Sequence, residues 1–409
     1  MRTVEAQREA VLAAVRRLPV ERVPIGAALG RTLAEPVVSA VDIPVFDNSA
    51  MDGFAVRGAD LLGAGPEAPL VLRVVGEVPA GSDEDPALGP GEAIRIVTGS
   101  AAPGAADAIV PVEDTLEGFR AEVGGTVTVT RAPRPGAHIR RAGEDAIRGT
   151  PLLPAGVRIG ALQCSSIAAA GVAEVMVARA PRVAVISTGS ELMPPGAPLS
   201  RGQIPESNSL VLAGLVAEAD GEVVLRESVP DDPAVLTAVV QRALALGADL
   251  VLMSGGVSEG AYEPVKQALG GTMAFEKVAM QPGKPQGFGV AAGGALLFGF
   301  PGNPVSVAVS WEVFGRPAIL AMQGRTDVER PRILLPASAD WSSSRPRRQY
   351  LPAAIDRSDP ARWTAGPATR RGSQSHLAGG LGRAEALIVV PAEVDGVAAG
   401  DLVEVWLLG

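Results

Sequence analysis

From residue 182 onward, hydrophobic positions fall into short dense runs separated by longer stretches with helical spacing. RVAVIS (182–187), EVVLRESV (222–229), DLVLMS (249–254) and ALLFGF (295–300) are rich in β-branched and aromatic residues, as strands covered on both faces require. Between them, SLVLAGLVAEA (209–219) and PAVLTAVVQRALAL (233–246) repeat apolar residues at intervals of three and four, the spacing of helices laid against a sheet. This alternation predicts βαβ units around a parallel sheet. The loops that follow such strands share one rim, and ligands of open α/β sheets bind there. These loops read STGSEL (187–192), PDDP (230–233), SGGVSEGAYE (254–263) and PGNP (301–304), so one crevice is expected to collect Glu191, Asp231, Asp232, Glu263 and Asn303. With Asn303 as N-cap and Pro304 as first helical residue, the helix after PGNP would offer amide donors to an anion.

The pattern differs on either side of this region. LVLRVVGEV, AIRIVTGS, AIVPVED and TVTVTRA, all beginning within residues 70–130, alternate like strands and have no helical period between them, which predicts an inserted all-β module. RILLPAS, ALIVVPAE and DLVEVWLL, beyond residue 331, predict a small C-terminal β domain. At the start, Val4, Val11, Leu12, Val15 and Leu18 mark one helix face with charges interleaved, unlike a signal peptide. The expected fold class is therefore α/β plus β. Residues 1–45 and 146–177 form a linking part, 46–145 a mainly-β insertion, 178–325 the α/β domain and 326–409 the C-terminal β domain. The longest uncharged run (290–311) is broken by PGNP and reads as strand, loop and helix rather than a membrane span.

Composition narrows the chemistry. The chain has 409 residues, 47% of them hydrophobic, and its 45 acidic and 36 basic residues give a net charge of −9 without blocks of like charge. This argues against a nucleic-acid surface, so an anionic ligand must be held by local groups. A lone cysteine, Cys164, excludes an internal disulfide or a cysteine metal cluster, and a cytoplasmic location is expected. The only histidines, His138 and His376, argue against a histidine metal site. Only Lys266, Lys277 and Lys284 among the basic residues are lysines, and all fall in one segment near the expected rim. Lys277 and Lys284 read as functional, since a compact ammonium and a guanidinium are not interchangeable. Lys266, on a helix, reads as incidental. Asn48, Asn208 and Asn303 are the only asparagines.

Seven motifs occur in order: FDNSAMDGFAVR, RIVTGSAAPGAADAIVPVED, IRRAGED, ISTGSEL, MSGGVSEGAYEPVK, MQPGKP and GFPGNPVS. Together they closely resemble the MoeA family of molybdopterin molybdenumtransferases, to which the C-terminal domain of gephyrin belongs. The resemblance implies an elongated, four-part subunit that forms a homodimer and does not insert into membranes. It implies that molybdate is inserted into the dithiolene of adenylylated molybdopterin with release of AMP, with Mg²⁺ present and a molybdopterin adenylyltransferase as the upstream partner. Asp52, Thr98, Asp145, Glu191, Asp231, Lys277 and Lys284 fall on family active-site positions. Thr188, Gly189, Ser254, Gly255, Gly256, Pro301, Gly302, Asn303 and Pro304 belong to the substrate-binding loops. Ser258, Arg347 and Ser375 align with molybdate contacts, and Glu191, Asp231 and Glu263 with metal-binding carboxylates. Asp47, Asn48 and Ser49 are expected to hold a turn through side-chain to backbone bonds.

These residue types suit the chemistry. Molybdate and a phosphoanhydride are both anionic, so a site joining them needs cations, oriented N–H donors and a metal. No Walker A or GxGxxG motif occurs, so phosphate binding would rest on the SGG and PGNP loops. The family pattern is broken at Ser190, where an Asp is usual. It is broken again at Ala261, Tyr262 and Glu263, where Asp–Tyr–Asp is usual, and at Gln281, where a basic residue is usual. Pro352 and Gly379 also replace common Arg and Ser. These departures keep open a gephyrin-like scaffold with reduced or no transferase activity.

Overall fold

The computed structural model describes residues 1–258, 263–343, 345–369 and 378–409. Its central sheet is built from β1 (Arg182–Thr188), β2 (Glu222–Val229), β3 (Leu250–Ser254), β4 (Met273–Lys277), β5 (Pro285–Val290) and β6 (Leu296–Phe300), in the order β2-β1-β3-β6-β5-β4. The four runs expected from the sequence are mutually parallel. The edge pair β5 and β4 runs antiparallel and was not expected.

Successive residues of a strand point to opposite faces, and the two cores separate accordingly. Val183 and Val185 of β1 pack with Leu212 and Val216 of α1 (Asn208–Glu218). Ala184 and Ile186 pack on the other side with Leu236 and Val240 of α2 (Pro233–Ala245) and Val265 of α3 (Pro264–Leu269). The sheet is thus covered twice, which explains the unbroken apolar runs. After β6, α4 (Pro304–Ser310) continues through a π turn (Trp311–Gly315) to Met322. This 19-residue helix has the length and composition of a membrane span, but 83% of its apolar window is buried inside the protein. Trp311 is fully buried there, together with Val4 and Val11 of the N-terminal helix Val4–Ala13.

The mainly-β insertion contains a five-stranded sheet, in which Gly53–Val56 lies between Ala108–Pro111 and Glu92–Ile96, followed by Leu70–Val78 and Thr126–Val129. Before and after it, Val20–Pro24 pairs with Glu174–Ala178 and Val37–Val38 with Pro151–Leu153, both antiparallel. The C-terminal sheet orders Met280–Gln281, Arg348–Asp356, Ala386–Val390, Leu402–Leu407 and Arg332–Pro336, with Thr364–Pro367 also paired to Arg348–Asp356. Its first strand, Met280–Gln281, comes from between β4 and β5. Met280 and Gln281 register with Arg348 and Gln349, which carries the C-terminal sheet to the side of the α/β rim.

Candidate functional site

The loops after β1, β2, β3 and β6 meet around a crevice of about 790 Å³. Glycine lets them approach. Gly255 has φ +92°, and a β-carbon there would lie 2.6 Å from the Thr188 carbonyl oxygen. A β-carbon on Gly302 would lie 3.3 Å from Gly255 Cα, and the Gly255 N–H donates to Phe300 O at 3.0 Å. Backbone therefore packs on backbone across the point where the strand order reverses, between β1 and β3.

Thr188, Gly189, Glu191 and Asp231 line one part of the crevice, and Gly255, Gly256, Ser258 and Glu263 another. Pro301, Gly302, Asn303 and Pro304 close it. Asn303 occupies the N-cap of α4 and Pro304 its first position, as the sequence suggests. The Glu191 carboxylate folds over its own loop, with Oε2 2.7 Å from where a Gly189 β-carbon would stand. Asp231 and Ser190 join two loops reciprocally: the Ser190 N–H donates to Asp231 Oδ2 and the Asp231 N–H to Ser190 Oγ, each at 3.0 Å. Ser190, a departure from the family pattern, thus acts as a loop fastener. Asp232 does not join the crevice; its carboxylate caps α2, accepting the N–H groups of Ala234 and Val235.

Ser254 lies beneath the floor. Its buried hydroxyl donates to Ser187 Oγ at 3.2 Å, and Ser187 donates to the buried Glu206 carboxylate, which also accepts the Ser209 N–H and hydroxyl. Asn208, passed over in the sequence, lines the crevice and donates from Nδ2 to Gly302 O at 2.7 Å, so it holds the PGNP loop. An Asn opening a helix reads as a capping residue, and only the fold brings it to residue 302.

Lys284 lines the crevice beside Gln281. Lys284, Lys277 and Lys266 together border a smaller adjoining cavity of about 190 Å³. Lys266 Nζ donates to the Ser258 carbonyl at 2.6 Å. Arg347, 66 residues from Gln281, donates to its Oε1 at 2.6 Å. Arg347 does not itself line the crevice, but its guanidinium stands beside the position where the family pattern has a basic side chain. Lysine at 281 would offer this guanidinium no acceptor.

Asp52, Thr98 and Asp145 stand apart from the crevice-lining residues of their own chain. Asp52 precedes Gly53–Val56 and accepts, at Oδ1, the Thr98 N–H at 2.7 Å and the Thr98 hydroxyl at 2.8 Å. These two donors hold the exposed Asp52 carboxyl below the usual aspartate range. Upstream, Asp47 accepts the Ala142 N–H and pairs with Arg141, Asn48 donates to Phe46 O, and Ser49 donates to Met51 O. The Asn48 and Ser49 bonds are the expected side-chain to backbone bonds of a turn, whereas Asp47 fastens the loop to the IRRAGED segment. Asp145 is exposed and its N–H donates to Ile43 O. Ser375, His376, Ala261 and Tyr262 lie outside the described residues.

Among the described residues no three His, Cys, Asp or Glu side chains gather closely enough to hold a metal by themselves. Glu191, Asp231 and Glu263 share the crevice without forming such a cluster, and Glu263 Oε2 accepts the Ser258 N–H at 2.7 Å. A second cavity of about 760 Å³, bordered by Arg8, Tyr350 and Trp406, lies between the N-terminal helix and the C-terminal sheet; it contains none of the candidate residues.

Three stretches match family models: residues 2–171 the MoeA N-terminal region (domain I and II), 184–321 the probable molybdopterin binding domain, and 335–408 the MoeA C-terminal region (domain IV). The chain is 42% identical over 414 residues to molybdopterin molybdenumtransferase 2 of Mycobacterium tuberculosis, covering 99% of both chains. It is 34% identical over 429 residues to molybdopterin molybdenumtransferase 1 of the same organism, covering 100% of this chain and 99% of the other. A solved structure of the molybdopterin biosynthesis MoeA protein from Pyrococcus horikoshii, 28% identical, superposes with a TM-score of 0.82 and covers 100% of both chains.

The Asp52–Thr98 contact is testable by titration. Because the folded carboxyl is more acidic than in the unfolded chain, its ionised form adds stability above the usual aspartate range, and that contribution is lost as pH falls through the lowered folded value. Thr98→Val removes the hydroxyl donor and keeps the N–H, so the Asp52 pKa is expected to rise part of the way toward an ordinary aspartate. Carbon-detected NMR titration reads this directly, and an unmoved Asp52 resonance midpoint would refute the contact.

Proposed function

The chain belongs to the MoeA family of molybdopterin molybdenumtransferases, and we propose that the rim crevice of its α/β domain is where adenylylated molybdopterin receives molybdate and releases AMP. The protein is a transferase of molybdenum cofactor biosynthesis, as its near-full-length relatives are named. No observation favours the scaffold alternative.

The observation that carries the reading is the joint presence, in one crevice, of carboxylates (Glu191, Asp231), a lysine (Lys284) and the N-terminal turn of a long helix. Amide groups at the start of that helix and the Lys284 ammonium offset anionic charge on the phosphoanhydride and the oxyanion. Asn208 holds the PGNP loop through the Gly302 carbonyl. Arg347, held by Gln281, brings a second fixed cation to the molybdate end. Glu191 and Asp231 would repel an anionic substrate by themselves, which supports a Mg²⁺ ion between them and the phosphates. Mg²⁺ is bound through one or two carboxylates, waters and substrate oxygens, so the lack of a three-carboxylate cluster is compatible with it. When bound, it would polarise the phosphoryl oxygens and neutralise charge on the departing AMP.

Asp52, Thr98 and Asp145 take part, in this reading, across a homodimer in which the insertion of one subunit completes the crevice of the other. Their absence from the crevice of their own chain supports it. The reading includes a cytoplasmic location, to which the free Cys164 is suited. It also includes a molybdopterin adenylyltransferase that supplies the activated substrate.

Asp231→Ala is expected to lower molybdate-dependent AMP release by about 100-fold, on the order of 3 kcal/mol of transition-state stabilisation. It removes one surface hydrogen-bond acceptor, so folding stability should change by about 1 kcal/mol or less. Chromatographic quantification of AMP, with denaturant unfolding as control, checks both; normal turnover by the folded variant would contradict the assignment.

Co-expression tests the shared site. Asp52→Ala and Asp231→Ala subunits, each inactive alone, should give heterodimers with one intact and one doubly mutated crevice. A statistical mixture then recovers roughly a quarter of wild-type activity. No recovery would place Asp52 and Asp231 in one chain's site.

A further inference from the structure

Within the proposed crevice, the Ser258 peptide is held from both sides by charged groups of one short helix. Its N–H donates to Glu263 Oε2 at 2.7 Å, and its carbonyl accepts from Lys266 Nζ at 2.6 Å. Glu263 is buried at the N-cap position of α3, yet its side chain does not cap that helix; it reaches back to residue 258. The Lys266 N–H adds a bond of 3.3 Å to Gly256 O. Gly256 has φ +64°, and a β-carbon there would lie 2.9 Å from Pro264 Cδ, so the loop is pressed against the helix. Lys266 also lies 5.8 Å from the Phe275 ring centroid, which limits where its ammonium can go.

We propose that Glu263 and Lys266 are positioning residues that fix the Ser258 peptide at the crevice wall, and that Glu263 serves this peptide rather than a metal ion. The proposal rests on the reading of Ser258 as a molybdate contact. Hydrogen bonds to ionised groups are shorter and stronger than neutral ones, and a carboxylate and an ammonium acting on the two ends of one residue determine its orientation. The family pattern has Asp at position 263. Its shorter arm would fall roughly 1.5 Å short of the Ser258 N–H, so the Glu in this chain matches the longer reach. Ser258 would then present its hydroxyl to the oxyanion from a fixed backbone, the kind of support that a binding site needs behind its contact residues.

The two roles for Glu263 predict opposite orders of effect. A clamp needs reach and an acceptor oxygen, which Gln retains and Asp loses. A metal ligand needs an anionic carboxylate, which Asp retains and Gln loses. In the full-length protein, molybdate dissociation constants from equilibrium dialysis should therefore stay within about twofold for E263Q and rise about five- to tenfold for E263D and for K266M. The E263D/K266M double variant should be little worse than either single one, because both groups hold the same peptide. Amide exchange at Ser258, read by mass spectrometry without ligand, should quicken about tenfold in E263D and K266M and remain slow in E263Q. Slow exchange in E263D, with a raised Mg²⁺ half-saturation in E263Q, would overturn the proposal. If exchange follows the expected order but S258A binds molybdate normally, the clamp stands and the reading of Ser258 as a contact falls.

Discussion

Everything at the site depends on how closely three loops approach one another at the rim. The Gly255 backbone leaves no room for a side chain against the Thr188 carbonyl, and Gly302 packs closely on Gly255 Cα. Parallel strands supply the direction, because each delivers its loop to the same edge, and glycine supplies the distance. Once the loops are nested, the remaining contacts are short-range fasteners: Ser190 with Asp231, Asn208 with Gly302, Glu263 and Lys266 with Ser258. A substitution at Gly255 would separate carboxylates from helix N-terminus without touching either.

The charge arrangement follows from this geometry. The chain is acidic overall, with a net charge of −9, and has few lysines. Its three lysines all border one small cavity beside the crevice, and a guanidinium arrives from the neighbouring sheet. Gln281 shows how a departure from the family pattern is absorbed. It gives up a charge and accepts a hydrogen bond from Arg347, which brings another charge.

The parallel sheet was legible because three of its strands, Arg182–Thr188, Leu250–Ser254 and Leu296–Phe300, are buried on both faces and its helices keep their period. The antiparallel edge was not, since MAFEK and PQGFGV carry charge, proline and glycine in place of an apolar run. An interior strand of the C-terminal sheet, Arg348–Asp356, was hidden by Pro352, which reads as a breaker. At the site, loop membership was legible but division of labour within a loop was not. Adjacent Asp231 and Asp232 look alike in the sequence, yet one meets Ser190 across the crevice wall and the other caps a helix. Contacts between distant segments, such as Gln281 with Arg347, left no local pattern to read. The contact of Lys266 was illegible for the same reason: its partner, the Ser258 carbonyl, is a backbone group that no side-chain motif announces.

Two cavities of similar volume, about 790 and 760 Å³, offer themselves to a large ligand, and the proposed substrate site is the one at the rim. Hydrogen exchange with and without adenylylated molybdopterin separates them. Slowed exchange is expected at residues 189–191, 255–258 and 302–306 on ligand addition. Slowing confined to residues 332–334, 348–350 and 402–406, with the rim loops unaffected, would contradict it.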